Sequence, residues 1–123
     1  MDPLKILMRR GEVWLVSLDP TVGTEINKTR PAVIVNDDGI GILPLKVVVP
    51  ITDWKETYAS RPWMVKLETD SDNGLSKTSG ADTFQVRSVS EKRLIKLLGK
   101  IDDLTMQAIS TALSLILSIE GEF

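Results

Sequence analysis

Chemistry in this chain has few residue types to draw on. Among its 123 residues histidine and cysteine both number 0. That excludes a serine–histidine triad, a histidine acid/base pair, a thiol nucleophile, the usual nitrogen/sulfur zinc site and a disulfide framework. Four options remain. Asp37 and Asp38 are adjacent carboxylates in a glycine-containing turn and could hold Mg²⁺, although the same pattern describes an ordinary solvated turn. Paired carboxylates for glycoside hydrolysis can be chosen in any acidic protein and so carry little information. A binding module with no reaction needs no special residues. The fourth option joins Arg30 to Thr52 and suits phosphate chemistry. A guanidinium presents a rigid fork of donors that matches phosphate oxygens, and it can stabilise the added charge of a pentacoordinate phosphorane. A threonine hydroxyl can orient the same phosphate. RNA brings its own nucleophile, the 2′-hydroxyl, so neither metal nor activated water is required. The general base would be an unusually perturbed arginine, Glu25 or water, since arginine is otherwise always protonated. Spacing alone equally allows a surface ion pair for Arg30 and a plain strand role for Thr52.

The elements around these residues are short and mostly extended. Glu12–Leu18 is rich in β-formers and ends at Asp19-Pro20. A polar loop from Asp19 to Thr29 follows, long for a small domain and therefore a candidate for function. A second strand covers Ala32–Val35, with Pro31 at its first position. The turn cluster Asn36-Asp37-Asp38-Gly39 leads to a third strand at Lys46–Ile51. An antiparallel pairing that sets Asn36 opposite Lys46 also sets Arg30 opposite Thr52, with Cβ atoms ~5 Å apart. A one-residue slip would send the two side chains to different faces. Asp53–Pro62 is expected to be irregular or briefly helical, Trp63–Leu67 a fourth strand and Ala81–Arg87 a fifth, with Phe84 and Val86 on one face. Ser90 is placed to cap a turn through Arg93, and Leu97–Ile101 reads as a last strand weakened by Gly99. The clearest helix starts at an Asp102 or Asp103 cap and runs to Ile119, with Gly121 as its stop. It is apolar over more than one face, which calls for deep burial or a partner. The sum is one domain over residues 1–123: about six strands, mainly antiparallel, arranged as a small β-barrel with a C-terminal helix.

The net charge of −2 hides an uneven distribution. Residues 83–100 are strongly basic through Arg87, Lys92, Arg93, Lys96 and Lys100, whereas 101–123 carry acidic residues only. A polyanion can find a positive local surface on such a chain, although a mixed solvated surface would also show this pattern. No targeting segment or ~20-residue apolar span is evident, so the expectation is a cytoplasmic protein that does not enter a membrane.

Three blocks carry a family resemblance. Arg10-Gly-Glu-Val-Trp14, Leu18-Asp-Pro-Thr-Val-Gly-Thr-Glu25 and Thr29-Arg-Pro-Ala-Val-Ile-Val35 are similar to the opening of MazF/PemK (Kid-like) toxins. Val49-Pro-Ile-Thr52 and Asp82-Thr-Phe-Gln-Val-Arg-Ser-Val89 resemble the second and third blocks of that family. The match runs in order along nearly the whole chain. It implies an SH3-like barrel of the CcdB/Kid/MazF type and a homodimer. It also implies a metal-independent, cofactor-free endoribonuclease that cuts single-stranded mRNA, leaving a 2′,3′-cyclic phosphate and a 5′-hydroxyl. A cognate antitoxin is implied whose C-terminal segment occupies the RNA groove. By position Arg30 matches the catalytic arginine and Thr52 the catalytic threonine. Thr24, Glu25, Lys28, Asp53 and Arg87 fall where RNA contacts are expected. For Glu25 a catalytic role stays open beside RNA contact, and for Arg87 a structural one. Asn27-Lys28 replaces the small residues of many members. A related toxin type of the same fold poisons a protein target such as DNA gyrase and lacks the arginine–threonine pair as a working site.

Overall fold

The structure, a computed structural model, describes residues 8–41 and 43–120. Gly121, the expected helix stop, lies outside them. The described elements are β1 (Glu12–Ser17), β2 (Thr29–Ile34), β3 (Leu45–Asp53), a 3-10 helix (Glu56–Ser60), β4 (Met64–Leu67), β5 (Ser79–Asp82), a 3-10 turn (Thr83–Gln85), β6 (Arg87–Ser90), a second 3-10 turn (Glu91–Arg93), β7 (Leu94–Lys100) and α1 (Asp103–Ile116). All strand pairings are antiparallel. Five strands follow the order β7-β1-β2-β3-β6, and the 3-10 turn at Glu91–Arg93 joins the two ends of that row. This is the SH3-like arrangement. β5 and β4 extend the far end of β3 into a second, smaller sheet.

Strand alternation sorts the core into two layers. Val13, Val33, Val49 and Ile51 face one way and pack with Met106 and Ile109 of α1. Trp14, Val16, Ala32, Ile34 and Val48 face the other way, with Val89 and Leu94. Successive residues point to opposite sides of a strand, so β-branched runs such as Val47-Val-Val49 feed both layers. β3 works as the hinge between sheets. Its outer edge pairs with β6 as far as Val48 and with β5 from Ile51 onward. Pro50 falls in the gap between those ladders, where a missing N–H breaks no ladder bond on that edge.

The expected fifth strand is in fact two. Ala81–Arg87 divides into the end of β5, a 3-10 turn and the start of β6. The Asp82 carboxylate accepts from the Phe84 N–H, and the Thr83 N–H and hydroxyl both donate to the Trp63 carbonyl. These local bonds satisfy the backbone off the ladder, so the extended run breaks. Phe84 therefore does not join Val86 on a strand face; it is 63% exposed. β7 in turn is longer than expected and begins at Leu94. The Ser90 cap forms as expected, its hydroxyl accepting from the Lys92 N–H.

α1 is capped by Asp102, whose carboxylate accepts from the Thr105 N–H at 2.7 Å and the Thr105 hydroxyl at 3.1 Å. The helix ends at Ile116, earlier than Ile119, because Ser118 takes φ 54°. The Ser118 N–H then donates to Leu115 and the Ile119 N–H to Ser114, which closes the last orphan carbonyls as a Schellman motif. Met106, Ile109 and Ala112 are buried, whereas Leu115, Leu117 and Ile119 stay more than half exposed. No helix among the described residues is long and apolar enough to cross a membrane.

The cap gives the first testable expectation. Hydrogen bonds from Thr105 hold the Asp102 carboxyl below its ordinary range. A depressed pKa means that the contribution is present above the unfolded value and is lost as pH falls through the folded one. Asp102→Ala should lower the thermal midpoint at neutral pH, and the gap to the native protein should close under strongly acidic conditions. A gap that is constant with pH would remove the cap as the cause.

Candidate functional site

The β2–β3 ladder pairs Ala32 with Pro50, Val33 with Val49 and Ile34 with Val48. Continued outward by two residues, that register sets Arg30 opposite Thr52, as the hairpin geometry predicts. β1 pairs Val16 with Arg30, and β5 pairs Thr52 with Gly80. Directly opposed residues share a face. Arg30 and Thr52 thus lie on the side of Val16, Ala32, Ile34 and Val48, where that buried layer runs out toward solvent. Both are half-buried. Among the described residues no carboxylate pairs with Arg30. Its one side-chain hydrogen bond among them runs from Nε to the Asn27 carbonyl at 3.4 Å, a long contact that leaves the terminal guanidinium nitrogens available.

The Asp19–Thr29 loop is tied down at several points. The Leu18 N–H donates to the Lys28 carbonyl at 2.8 Å, and Lys28 itself adopts φ 67°. Within the loop the Glu25 carboxylate accepts from the Val22 N–H at 2.8 Å. Gln85 reaches across from the 3-10 turn and uses both ends of its amide. Its oxygen accepts from the Ile26 N–H at 2.5 Å and its nitrogen donates to the Thr24 carbonyl at 3.2 Å. Arg87 donates to the Leu18 carbonyl at 3.1 Å, and Arg93 donates to the carbonyls of Ser17 and Asp19. Two arginines therefore hold the exit of β1, where the loop begins.

Loop and turn enclose a cavity of about 420 Å³ lined by Thr24, Glu25, Ile26, Pro50, Phe84, Gln85, Val86 and Arg87. The structure thus brings Thr24, Glu25 and Arg87 together, with Pro50 leading along β3 to Thr52. Arg30, Thr52, Lys28 and Asp53 do not line this cavity. Lys28 is exposed on the loop. Asp53 follows Thr52 on the alternate face of β3, and its carboxylate meets Lys77 Nζ at 3.0 Å. Gln85 and Phe84 were not distinguished by spacing because their segment reads as a strand.

Asp82, at the base of the turn, has its pKa raised, chiefly by burial; the N–H of Phe84 and the charge of Arg61 offset this in part. Asp37 and Asp38 are engaged with backbone N–H groups, Asp37 with Gly39 and Asp38 with Arg10, both at 2.7 Å. Among the described residues no three acidic side chains gather as a metal-binding group.

The family of PemK-like, MazF-like toxins of type II toxin–antitoxin systems matches residues 9–117. The chain belongs to that family. It is 34% identical to endoribonuclease MazF9 of Mycobacterium tuberculosis over 123 residues, covering 92% of this chain and 98% of that one. It is 35% identical to endoribonuclease PemK of Escherichia coli, covering 90% and 83% respectively. Among solved structures, MazF from Deinococcus radiodurans superposes with a TM-score of 0.77 at 19% identity, covering 94% of this chain and all, 100%, of that one. A mycobacterial endoribonuclease in complex with its cognate antitoxin gives a TM-score of 0.72 at 22% identity, covering 93% and 98%. The MazF fold is thus the fold of this chain: an antiparallel β-barrel closed by one C-terminal helix.

Proposed function

We propose that the chain is a metal-independent endoribonuclease that cuts single-stranded mRNA, held in check by a cognate antitoxin. What supports the reading is the β2–β3 register: continued two residues past its last pair, it sets Arg30, half-buried and with no carboxylate partner among the described residues, opposite Thr52 on one sheet face. In the reaction the substrate 2′-oxygen attacks the adjacent phosphorus as the P–O5′ bond breaks. The 2′-hydroxyl proton leaves to a base, and the departing 5′-oxygen takes up a proton. The products are a 2′,3′-cyclic phosphate and a 5′-hydroxyl. Arg30 donates to the non-bridging oxygens, whose charge grows in the phosphorane-like transition state. The Thr52 hydroxyl fixes the phosphate so that the entering and leaving oxygens stand in line. Thr24, Glu25, Lys28 and Arg87 serve as RNA contacts around this centre, and Glu25 or water acts as base; Asp53, turned to the other face of β3 and paired with Lys77, is a contact only at the edge of the RNA path. No cofactor enters any step.

The outward apolar residues at and just beyond the end of α1 support a homodimer. Leu115 and Ile119 border a groove between α1 and β4 that also includes Met64 and Val65. The endoribonuclease named above in complex with its antitoxin supports a similar partner here. The cytoplasm, where mRNA is found, is the matching location.

A long single-stranded transcript incubated with the protein and a chelator should yield discrete fragments ending in 2′,3′-cyclic phosphate and beginning with 5′-hydroxyl. Cutting that stops when the chelator is added would replace this mechanism with a metal-dependent one. An intact transcript would favour a toxin that acts by binding a protein such as DNA gyrase.

A further inference from the structure

We infer that Phe84 forms the stacking surface of a nucleobase subsite next to the scissile phosphate. The inference rests on the endoribonuclease reading and extends it to a residue with no role in the steps above. Phe84 is 63% exposed and stands at the rim of the cavity formed with Thr24, Glu25 and Gln85. An exposed aromatic ring on a mobile loop would mean little. This one is displayed on a locked turn. Its N–H is bound by the Asp82 carboxylate at 3.2 Å. The neighbouring Thr83 is fully buried, with its hydroxyl on the Trp63 carbonyl at 2.6 Å. Trp63 also meets the Phe84 ring edge-on, with centroids 5.7 Å apart and planes at 70°. An edge-on neighbour fixes the orientation of the ring and leaves it room to receive a flat partner.

The surroundings favour a nucleobase as that partner. Single-stranded RNA is read by splaying bases onto aromatic rings and hydrogen-bonding their edges. The ring supplies the sequence-tolerant part, while Thr24 and Glu25 in the same lining supply polar atoms for base edges. Pro50, in the cavity lining, lies two residues along β3 from Thr52, or about 7 Å at the usual strand rise. That separation fits a base neighbouring the reacting phosphate. Arg87, also in the lining, brings positive charge suited to the backbone between them.

The test pairs a protein change with a substrate change. Oligoribonucleotides containing a mapped cleavage site are prepared with an abasic residue at each flanking position in turn. Non-cleavable versions carry 2′-deoxy sugar at the cut. For the native protein, one abasic position should raise KM, and weaken binding of the non-cleavable version, by about ten-fold, the scale of one base–aromatic stack. Phe84→Ala should cause a similar loss on the intact oligonucleotide with little change in kcat. The abasic change at that one position should then have no further effect, while Phe84→Trp restores discrimination. Thermal midpoints close to native are expected for both variants because the ring is exposed. If native protein cuts and Phe84→Ala cuts and binds equally well, or if the two losses simply add at every position, the subsite is disproved while the nuclease reading stands. If Phe84→Ala alters only the oligomeric mass, the ring belongs to a contact between copies and the inference fails. If native protein neither binds nor cuts RNA, the nuclease reading itself fails.

Discussion

Arg30→Ala is expected to reduce RNA cleavage by at least about 10²–10³-fold, the effect of deleting one preorganised donor to a developing oxyanion. The protein should remain folded, with a circular dichroism spectrum and thermal midpoint close to native. Two features separate the activity from the fold. Arg30 sits near the end of the β1–β2 ladder, beyond the buried layer, and the only side-chain hydrogen bond it makes among the described residues is the 3.4 Å contact to the Asn27 carbonyl. Arg30→Lys should also be strongly impaired, because an ammonium keeps the charge but loses the planar fork that spans two phosphate oxygens. Near-native cleavage by the lysine variant would show that charge alone suffices; near-native cleavage by the alanine variant would remove Arg30 from the mechanism.

The second large effect is on stability. Gly99→Ala should destabilise the fold by about 3 kcal/mol, toward the upper range for overpacking in a filled interior. A Cβ at this position would come within 2.2 Å of the Asp72 carbonyl oxygen and 2.4 Å of the Asn73 carbonyl carbon. Neither atom can move cheaply. The Asp72 carbonyl accepts from the Lys100 N–H at 2.9 Å. Asn73 is buried, with its side chain bonded to the Glu68 carbonyl and the Leu75 N–H. Asp70 holds the same bend through the N–H groups of Asp72 and Asn73. The 68–75 segment is thus strapped across β7, and the missing side chain at Gly99 is what lets it approach. Urea unfolding of the variant would measure the loss; an unchanged midpoint would mean that the strap shifts freely.

That glycine also shows where sequence reasoning stops. Gly99 reads as a weak point in a strand, yet β7 extends from Leu94 to Lys100, because the contact that needs glycine is made by a loop some twenty-five positions away in sequence. Local pattern was sufficient where a single element decides the outcome. β1 follows from a β-branched run, and a cap at Asp102 or Asp103 from a carboxylate before an apolar helix, whereas the β2–β3 register is one choice among neighbours that differ by a single-residue slip. The register matters most: the ladder has the pairing that, continued two residues outward, sets Arg30 and Thr52 on one face. Pattern failed where a side chain redirects the backbone. Asp82 and Thr83 break the fifth strand through bonds to Phe84 and Trp63, and nothing in the alternation of Ala81–Arg87 reveals them. The Gln85 clamp was hidden for the same reason, because its partners Thr24 and Ile26 meet it only in the folded chain. Ser118 ended α1 ahead of the expected glycine by taking φ 54°, a conformation that serine adopts less readily than glycine.

The most direct test of attack by the 2′-oxygen removes that oxygen. An oligoribonucleotide with one cleavage site is compared with the same strand carrying a single 2′-deoxy sugar on the 5′ side of the scissile bond. The deoxy strand should still bind but remain whole at that bond, whereas the all-ribose strand is cut. Cleavage of the deoxy strand at the same bond would contradict the account, because the nucleophile would then have to come from water or the protein.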